Sequence, residues 1–180
     1  MSPLPADRVR SGALVLTFFE DERPLRGASG LIDWRMDGFV SRLLEERRLE
    51  GHTDEATLIP SQGRVGPKAI LLIGLGKKTS FNYRRITETA TFAIEKLHGI
   101  DVNDFAFEIP GRHVLDLNLE RGSYALTRGI LRALEVQAAS ETPLEVLLLD
   151  RHESFRAVTS GIARARSQFS RKIKIAVVQG

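Results

Sequence analysis

The chain has 180 residues, 42% hydrophobic and 27% charged. That is the profile of a globular protein and excludes a disordered or fibrous one. A chain of this length buries roughly 70% of its unfolded surface, so a single domain over residues 1–180 is expected. Cysteine is absent, which excludes disulfides, thiolate zinc sites, iron–sulfur clusters and thiol nucleophiles, and fits a reducing compartment. The net charge is +3 with a pI near 9.5. So small an excess, spread along the chain, is a weak sign of nucleic-acid binding. No run reaches the ~18 apolar residues of a membrane helix. The opening segment superficially mimics a signal peptide, but its apolar run stops at Glu20-Asp21-Glu22 without a small-residue cleavage site. It reads as a first strand, and a cytoplasmic location is expected.

Apolar runs and helical periods alternate along the chain. Ala13–Phe19 (ALVLTFF) reads as a strand, followed by a loop over Arg23–Gly30 that carries Pro24, Gly27 and Gly30. Met36, Phe39, Val40, Leu43 and Leu44 recur at i, i+3, i+4, i+7 and i+8, one face of a single helix that Gly51 would end. Trp34, the only tryptophan, falls at the start of that helix beside Leu31 and Ile32 and is expected to pack inward. Ala56–Pro60 is a short strand and Ser61–Pro67 a turn, so the next strand can pair with it antiparallel. That next run, Ala69–Ile73 (AILLI), is uniformly apolar, as in a strand buried on both faces.

Asn82 is a good N-cap, and Phe81 and Ile86 have the spacing of a hydrophobic staple. Ile86, Ala90, Ala93, Ile94 and Leu97 then form a buried stripe closed by Gly99. Asp104–Ile109 reads as a strand. A helix follows from about Arg121 to Ala139 with Leu126, Ile130, Ala133 and Leu134 inward, and Leu144–Leu149 is the next strand. Phe155, Val158, Ile162, Ala165 and Phe169 make a last helical stripe before a strand over Lys172–Val178, whose lysines leave one face solvated. The order predicts a three-layer α/β fold with a mixed, mostly parallel sheet of about six strands and helices on both faces.

Chemistry is sparse. His52, His98, His113 and His152 show neither i, i+4 metal spacing nor an HExxH arrangement and read as loop or surface residues. There is no GxSxG elbow. No catalytic or metal-ligating residue and no cofactor is therefore assigned. The one suggestive element is Gly74, Leu75, Gly76, Lys77 and Lys78, which follows a buried strand and precedes a helix. Its amides have the setting of a phosphate cradle, yet it is neither a P-loop nor a full GxGxxG. A plain strand-to-helix turn is the reading placed ahead of it.

Several stretches together resemble a known family. ALVLTFFEDERPLRGASGLIDWRMDGFVSRLL resembles the opening of the zinc-dependent leucine aminopeptidases, as does the later order ATLIP, turn, KAILLIGLGKKTSFN, helix. The resemblance covers nearly the whole chain but only the family's N-terminal domain, which is similar in fold to macro domains and does not carry the peptidase chemistry. The family's catalytic domain holds two metal ions on aspartates, a glutamate and a lysine, and an NTDAEGRL-type signature; none of that is present in this sequence. The chain is thus either a stand-alone relative of the N-terminal domain or a piece of a longer protein. The resemblance implies, first, a non-catalytic module for assembly or partner interaction, with a second copy or an aminopeptidase catalytic domain as partner. It implies, second, a macro-like binder of ADP-ribose or a related nucleotide at Gly74–Lys78. Nucleic-acid binding ranks third, an independent peptidase last, and no membrane partner is expected.

Overall fold

The computed structural model describes residues 5–136, 144–150, 154–169 and 175–179. Its elements are β1 (Ala13–Phe18), α1 (Gly27–Arg35), α2 (Phe39–Glu45), β2 (Ala56–Pro60), β3 (Ala69–Gly74), α3 (Tyr83–His98), β4 (Asp104–Glu108), α4 (Leu119–Val136), β5 (Glu145–Asp150), α5 (Phe155–Arg166) and β6 (Ile175–Gln179), with a 3-10 turn at Lys78–Ser80. The six strands form one sheet in the order β2-β3-β1-β4-β5-β6. β1 pairs in parallel with β3 and β4, and β4-β5-β6 continue in parallel, while β2 alone runs antiparallel against β3.

The pleat divides the strand residues between two cores. Ala13, Val15, Leu71, Ile73, Phe105, Phe107, Val146 and Leu148 face α3, α4 and α5. Leu14, Leu16, Phe18, Ile70, Leu72 and Ala106 face α1 and α2. Apolar runs without alternation are therefore what the central strands β1, β3 and β4 require, because they are covered on both sides. The α3 stripe inferred from sequence is buried as a set, and Asn82 caps it by accepting the Arg85 N–H through its side chain at 3.2 Å. No described helix is long and apolar enough to cross a membrane.

The first helical layer departs from the sequence reading. The Arg23–Gly30 segment is a loop only as far as Arg26, and helix begins at Gly27. The stripe Met36–Leu44 does not lie on one helix, because the chain turns at Met36–Gly38, where Asp37 and Gly38 take positive φ. Asp33 supports this turn by accepting the Ser41 N–H at 2.9 Å and the Ser41 hydroxyl at 2.5 Å. Met36, Val40, Leu43 and Leu44 are nonetheless buried together, so the period survived the break. α2 ends at Glu45, well before Gly51. The inward Trp34 is corrected as well: it is 68% exposed, with the Arg35 guanidinium 4.7 Å above its ring. α1 buries Ala28, Ser29 and Ile32, and position 34 lies about 200° from position 32 on an α-helix.

At the other end, α4 begins at Leu119, and residues 137–139 of the helix inferred there lie outside the described residues. Phe155 is partly exposed and Phe169 lies beyond the end of α5. Lys172 and Lys174 lie outside the described residues.

Leu72 is 1% exposed and lies on β3 between β2 and β1. Leu72→Ala should cost about 2–5 kcal/mol, read as a lowered denaturation midpoint with an unchanged slope. An unchanged midpoint would show that this face is not packed.

Candidate functional site

Open α/β sheets collect ligands at the carboxyl end, where neighbouring strands send their connections to opposite faces. Here that place lies between β1, whose chain leaves toward α1, and β4, whose chain leaves toward α4. Three segments meet at this end: Phe19–Arg26 after β1, Leu75–Phe81 after β3, and Ile109–Asn118 after β4.

The segment after β1 turns around its own carboxylate. Glu22 is 3% exposed and accepts the N–H of Phe19 at 3.1 Å and of Arg26 at 2.9 Å. The second of these amides lies at the N-terminus of α1, where negative charge is favoured by the helix dipole. The Phe19 ring meets the Phe81 ring edge-on, with centroids 5.0 Å apart.

The segment after β4 closes the gap from the opposite side. His113 Nε2 lies 2.5 Å from a carboxylate oxygen of Glu108, the last residue of β4, and both side chains are largely buried. The imidazole rests on Gly27, so a Cβ at that position would overlap the ring, and Gly27 itself has φ +58°. A carboxylate-bound imidazole is an acid–base unit when its ring reaches a substrate. In this molecule the ring packs against the Gly27 backbone at the start of α1. Arg112, beside it, donates to the Ser154 hydroxyl at 2.8 Å.

The Gly74–Lys78 segment is also turned inward. The N–H of Gly74 donates to the Glu55 carbonyl, that of Leu75 to the Phe18 carbonyl and that of Gly76 to the Gly51 carbonyl, each at 2.9 Å. The glycines are needed for contact with the chain, since a Cβ at Gly74 would overlap the His52 carbonyl and one at Gly76 the Thr53 hydroxyl. Leu75 is buried. Lys78 donates through its N–H to the Asp21 carboxylate at 3.1 Å and through Nζ to the Asp21 carbonyl at 2.6 Å. Of the five residues, Lys77 presents an exposed side chain.

The loop that receives these glycines is organised by a second carboxylate. Glu55 accepts the N–H groups of Glu50 at 3.1 Å, Gly51 at 2.6 Å and His52 at 3.1 Å. His52 lies with Nε2 2.7 Å from Glu50 and Nδ1 3.4 Å from Glu20. Hydrogen bonding to Glu20, with further help from Glu50, raises its pKa above the ordinary histidine value against a smaller opposing effect of desolvation. Among the described residues, no group of three His, Asp or Glu side chains comes together as a metal site.

The N-terminal domain model of the cytosol aminopeptidase family matches residues 15–143. The chain belongs to this family. The "Probable cytosol aminopeptidase" of Sulfurihydrogenibium sp. (strain YO3AOP1) is 24% identical over 115 residues, 64% of this chain and 21% of that protein. The protein of the same name from Burkholderia orbicola (strain MC0-3) is 30% identical over 100 residues, 56% of this chain and 20% of that protein. The chain thus spans about a fifth of the length of the curated relatives it matches. Among solved structures, the Oceanobacillus iheyensis macrodomain with ADP aligns at TM-score 0.71 and 10% identity over 93% of this chain and 90% of that one. The Trypanosoma brucei macrodomain in complex with ADP aligns at 0.69 and 11% identity over 88% and 66%. The fold is macrodomain-like.

Reading the sequence did not single out Glu22, Gly27 or the Glu108–His113 pair. Glu22 stood in an acidic run that marked a strand end, and Glu108 and His113 are separated by the Pro110-Gly111 turn that brings them together.

Two outcomes follow from this geometry. Gly27→Ala should destabilise the fold, and adding His113→Ala should recover part of the loss by removing the overlapped ring, while the positive φ keeps the rest. Equal loss in the single and double variants would show that the ring is not the obstacle. The His52 contribution is present below the ordinary histidine pKa near 6.5 and is lost as pH rises through its raised folded value. The stability difference between the wild type and His52→Gln should therefore shrink from mildly acidic to alkaline pH, measured by chemical denaturation. A difference that grows with pH would reverse the assigned sign.

Proposed function

We propose that this cytosol aminopeptidase-family domain works without chemistry of its own, as an assembly and docking unit whose partner is an aminopeptidase catalytic domain or a second copy. The observation that carries the reading is the set of internal contacts at the carboxyl end of the sheet. His113 covers Gly27, the Glu22 carboxylate occupies the amides of Phe19 and Arg26, and the amides of Gly74, Leu75 and Gly76 donate to the chain itself. A ligand there would have to displace groups already tethered in place. The outer layer supports docking: Trp34 and Phe39 are exposed on α1 and α2, with the arginine side chains of Arg35 and Arg42 over their rings. Large aromatics with arginine are the residues that anchor protein interfaces. A cytoplasmic setting is part of the proposal, in keeping with the relatives' names.

A second reading, a nucleotide binder, draws on the likeness to macrodomains solved with ADP. It asks Gly74–Lys78 to hold phosphate, which leaves the Lys77 side chain as the exposed donor of that segment. The two readings separate in one set of measurements. The purified chain should not cleave an amino-acid anilide with added zinc or manganese. It should show no amide shifts at Gly27, Gly111–His113 or Gly74–Lys78 with millimolar ADP-ribose. It should co-sediment with a separately produced aminopeptidase catalytic domain or with itself, and Trp34→Ala should weaken that association. Metal-dependent turnover that survives repurification would overturn the non-catalytic reading. Saturable shifts at those loops would establish the nucleotide reading instead.

A further inference from the structure

The arginines spaced along the chain converge on the helical face remote from Trp34. Arg84 at the start of α3, Arg121 and Arg128 on α4 and Arg164 on α5 line a depression of about 350 Å³ together with Tyr83 and Tyr124. Among the described residues no carboxylate lines it, and Glu88 and Glu120 pair with two of its four arginines. Its floor is low because α3 and α4 approach closely there. The Thr87 hydroxyl donates to the Ala125 carbonyl at 3.0 Å, and Thr91 repeats the contact one turn on with the Gly129 carbonyl at 3.1 Å.

The walls are held in position before any ligand arrives. The Tyr83 hydroxyl accepts the Asn118 N–H at 3.0 Å, and the Tyr124 hydroxyl bonds Gln168 Oε1 at 2.8 Å. The Arg164 guanidinium stands 4.6 Å over the Tyr124 ring and 3.3 Å from Glu120. Arg84 is tied to Glu88 at 2.8 Å. Arg121 and Arg128 are exposed and make no ion pair among the described residues. Seven residues apart on α4, they stand about 10 Å apart along the axis. Arg121 and Arg128 thus lack a counter-charge among the described residues, beside two guanidinium groups that have one.

Arginine forks match phosphoryl oxygens in paired hydrogen bonds. A single phosphate would meet one such fork, whereas a span of about 10 Å suits several linked phosphoryl groups. We propose that this depression binds an oligophosphate, the chemistry shared by free inorganic polyphosphate and the triphosphate of a nucleotide. The site is distinct from the carboxyl end of the sheet and does not depend on the proposed docking role.

The test is calorimetric titration of the whole chain with sodium tripolyphosphate at low salt, with orthophosphate, ATP and AMP as further arms. Tripolyphosphate should bind saturably, at least about tenfold more tightly than orthophosphate, and weaken as salt is added. Arg121→Gln and Arg128→Gln should each weaken it by about tenfold without lowering the melting temperature. Arg10→Gln, an exposed arginine in a distant loop, should leave it unchanged. ATP stronger than tripolyphosphate, with the gain lost in Tyr124→Leu, would support the site and assign a nucleotide source. Equal binding of the two would support it and assign free polyphosphate. Absence of saturable binding, or binding that ignores Arg121→Gln and Arg128→Gln, or that falls equally in Arg10→Gln, would overturn the proposal. Amide shifts should centre on Thr87 and Ala125; shifts at Gly27 or Gly74–Lys78 would instead place the anion at the sheet end.

Discussion

The buried carboxylate of Glu22 fixes the carboxyl end of this sheet. Parallel strands that leave a sheet in different directions expose backbone N–H groups at their ends, and buried donors without acceptors are costly. Glu22 supplies acceptors for both Phe19 and Arg26, so the chain passes from β1 into α1 with its turn closed. Glu55 does the same for Glu50, Gly51 and His52, and Asp21 for Lys78. Each acceptor is tethered a few residues from its donors or across one loop contact. An external anion would compete with a carboxylate held at high effective concentration, and the glycine turns have no unsatisfied amide at Gly74, Leu75 or Gly76 to offer it. The amides of these turns are thereby satisfied within the chain.

That closure rests on β1. It is the strand around which the chain reverses, first outward to β3 and then back across to β4. Its residues alternate strictly between the two cores. The loops that meet at the sheet end are anchored to its last residues: Leu75 bonds the Phe18 carbonyl, and Glu20 bonds the Gly76 carbonyl. Displacing β1 by one residue would exchange its core faces and break the bonds that join its end to the loop after β3.

The strand order and the covering helices were legible because burial on both faces writes a uniform apolar run and amphipathic helices write a period. The same logic explains the failures. The stripe Met36–Leu44 keeps its period across a turn, because the residues on either side pack against one core even though the backbone changes direction. Trp34 was misplaced because it was grouped with its apolar neighbours Leu31 and Ile32, whereas on α1 position 34 lies about 200° from the buried Ile32. Ala28 and Ser29 are too small to mark a buried stripe, yet Ser29 reaches the Thr17 carbonyl at 3.0 Å and seats the helix on β1. The Glu108–His113 contact needs a turn to bring its members together, which no residue spacing announces. The Gly74–Lys78 segment could be located but not interpreted, since its amide partners are Gly51 and Glu55, some twenty residues earlier, and Phe18 and Asp21, nearly sixty residues earlier.

Charge shows the same division between what a sequence lists and what a fold assembles. A net charge of +3 spread along the chain carries little field. The α3, α4 and α5 connections all lie on one face, and their outward positions are where Arg84, Arg121, Arg128 and Arg164 fall. On the other face, the arginines of α1 and α2 lie over aromatic rings, and the sheet end neutralises its amides with carboxylates. The parallel crossovers therefore separate the molecule into an aromatic layer, a closed end and a cationic layer. Function in such a frame follows from which side chains a shared fold leaves free. Here the outward faces of the helices carry exposed arginine and aromatic side chains, while His113 and Glu22 at the sheet end are bonded within the chain.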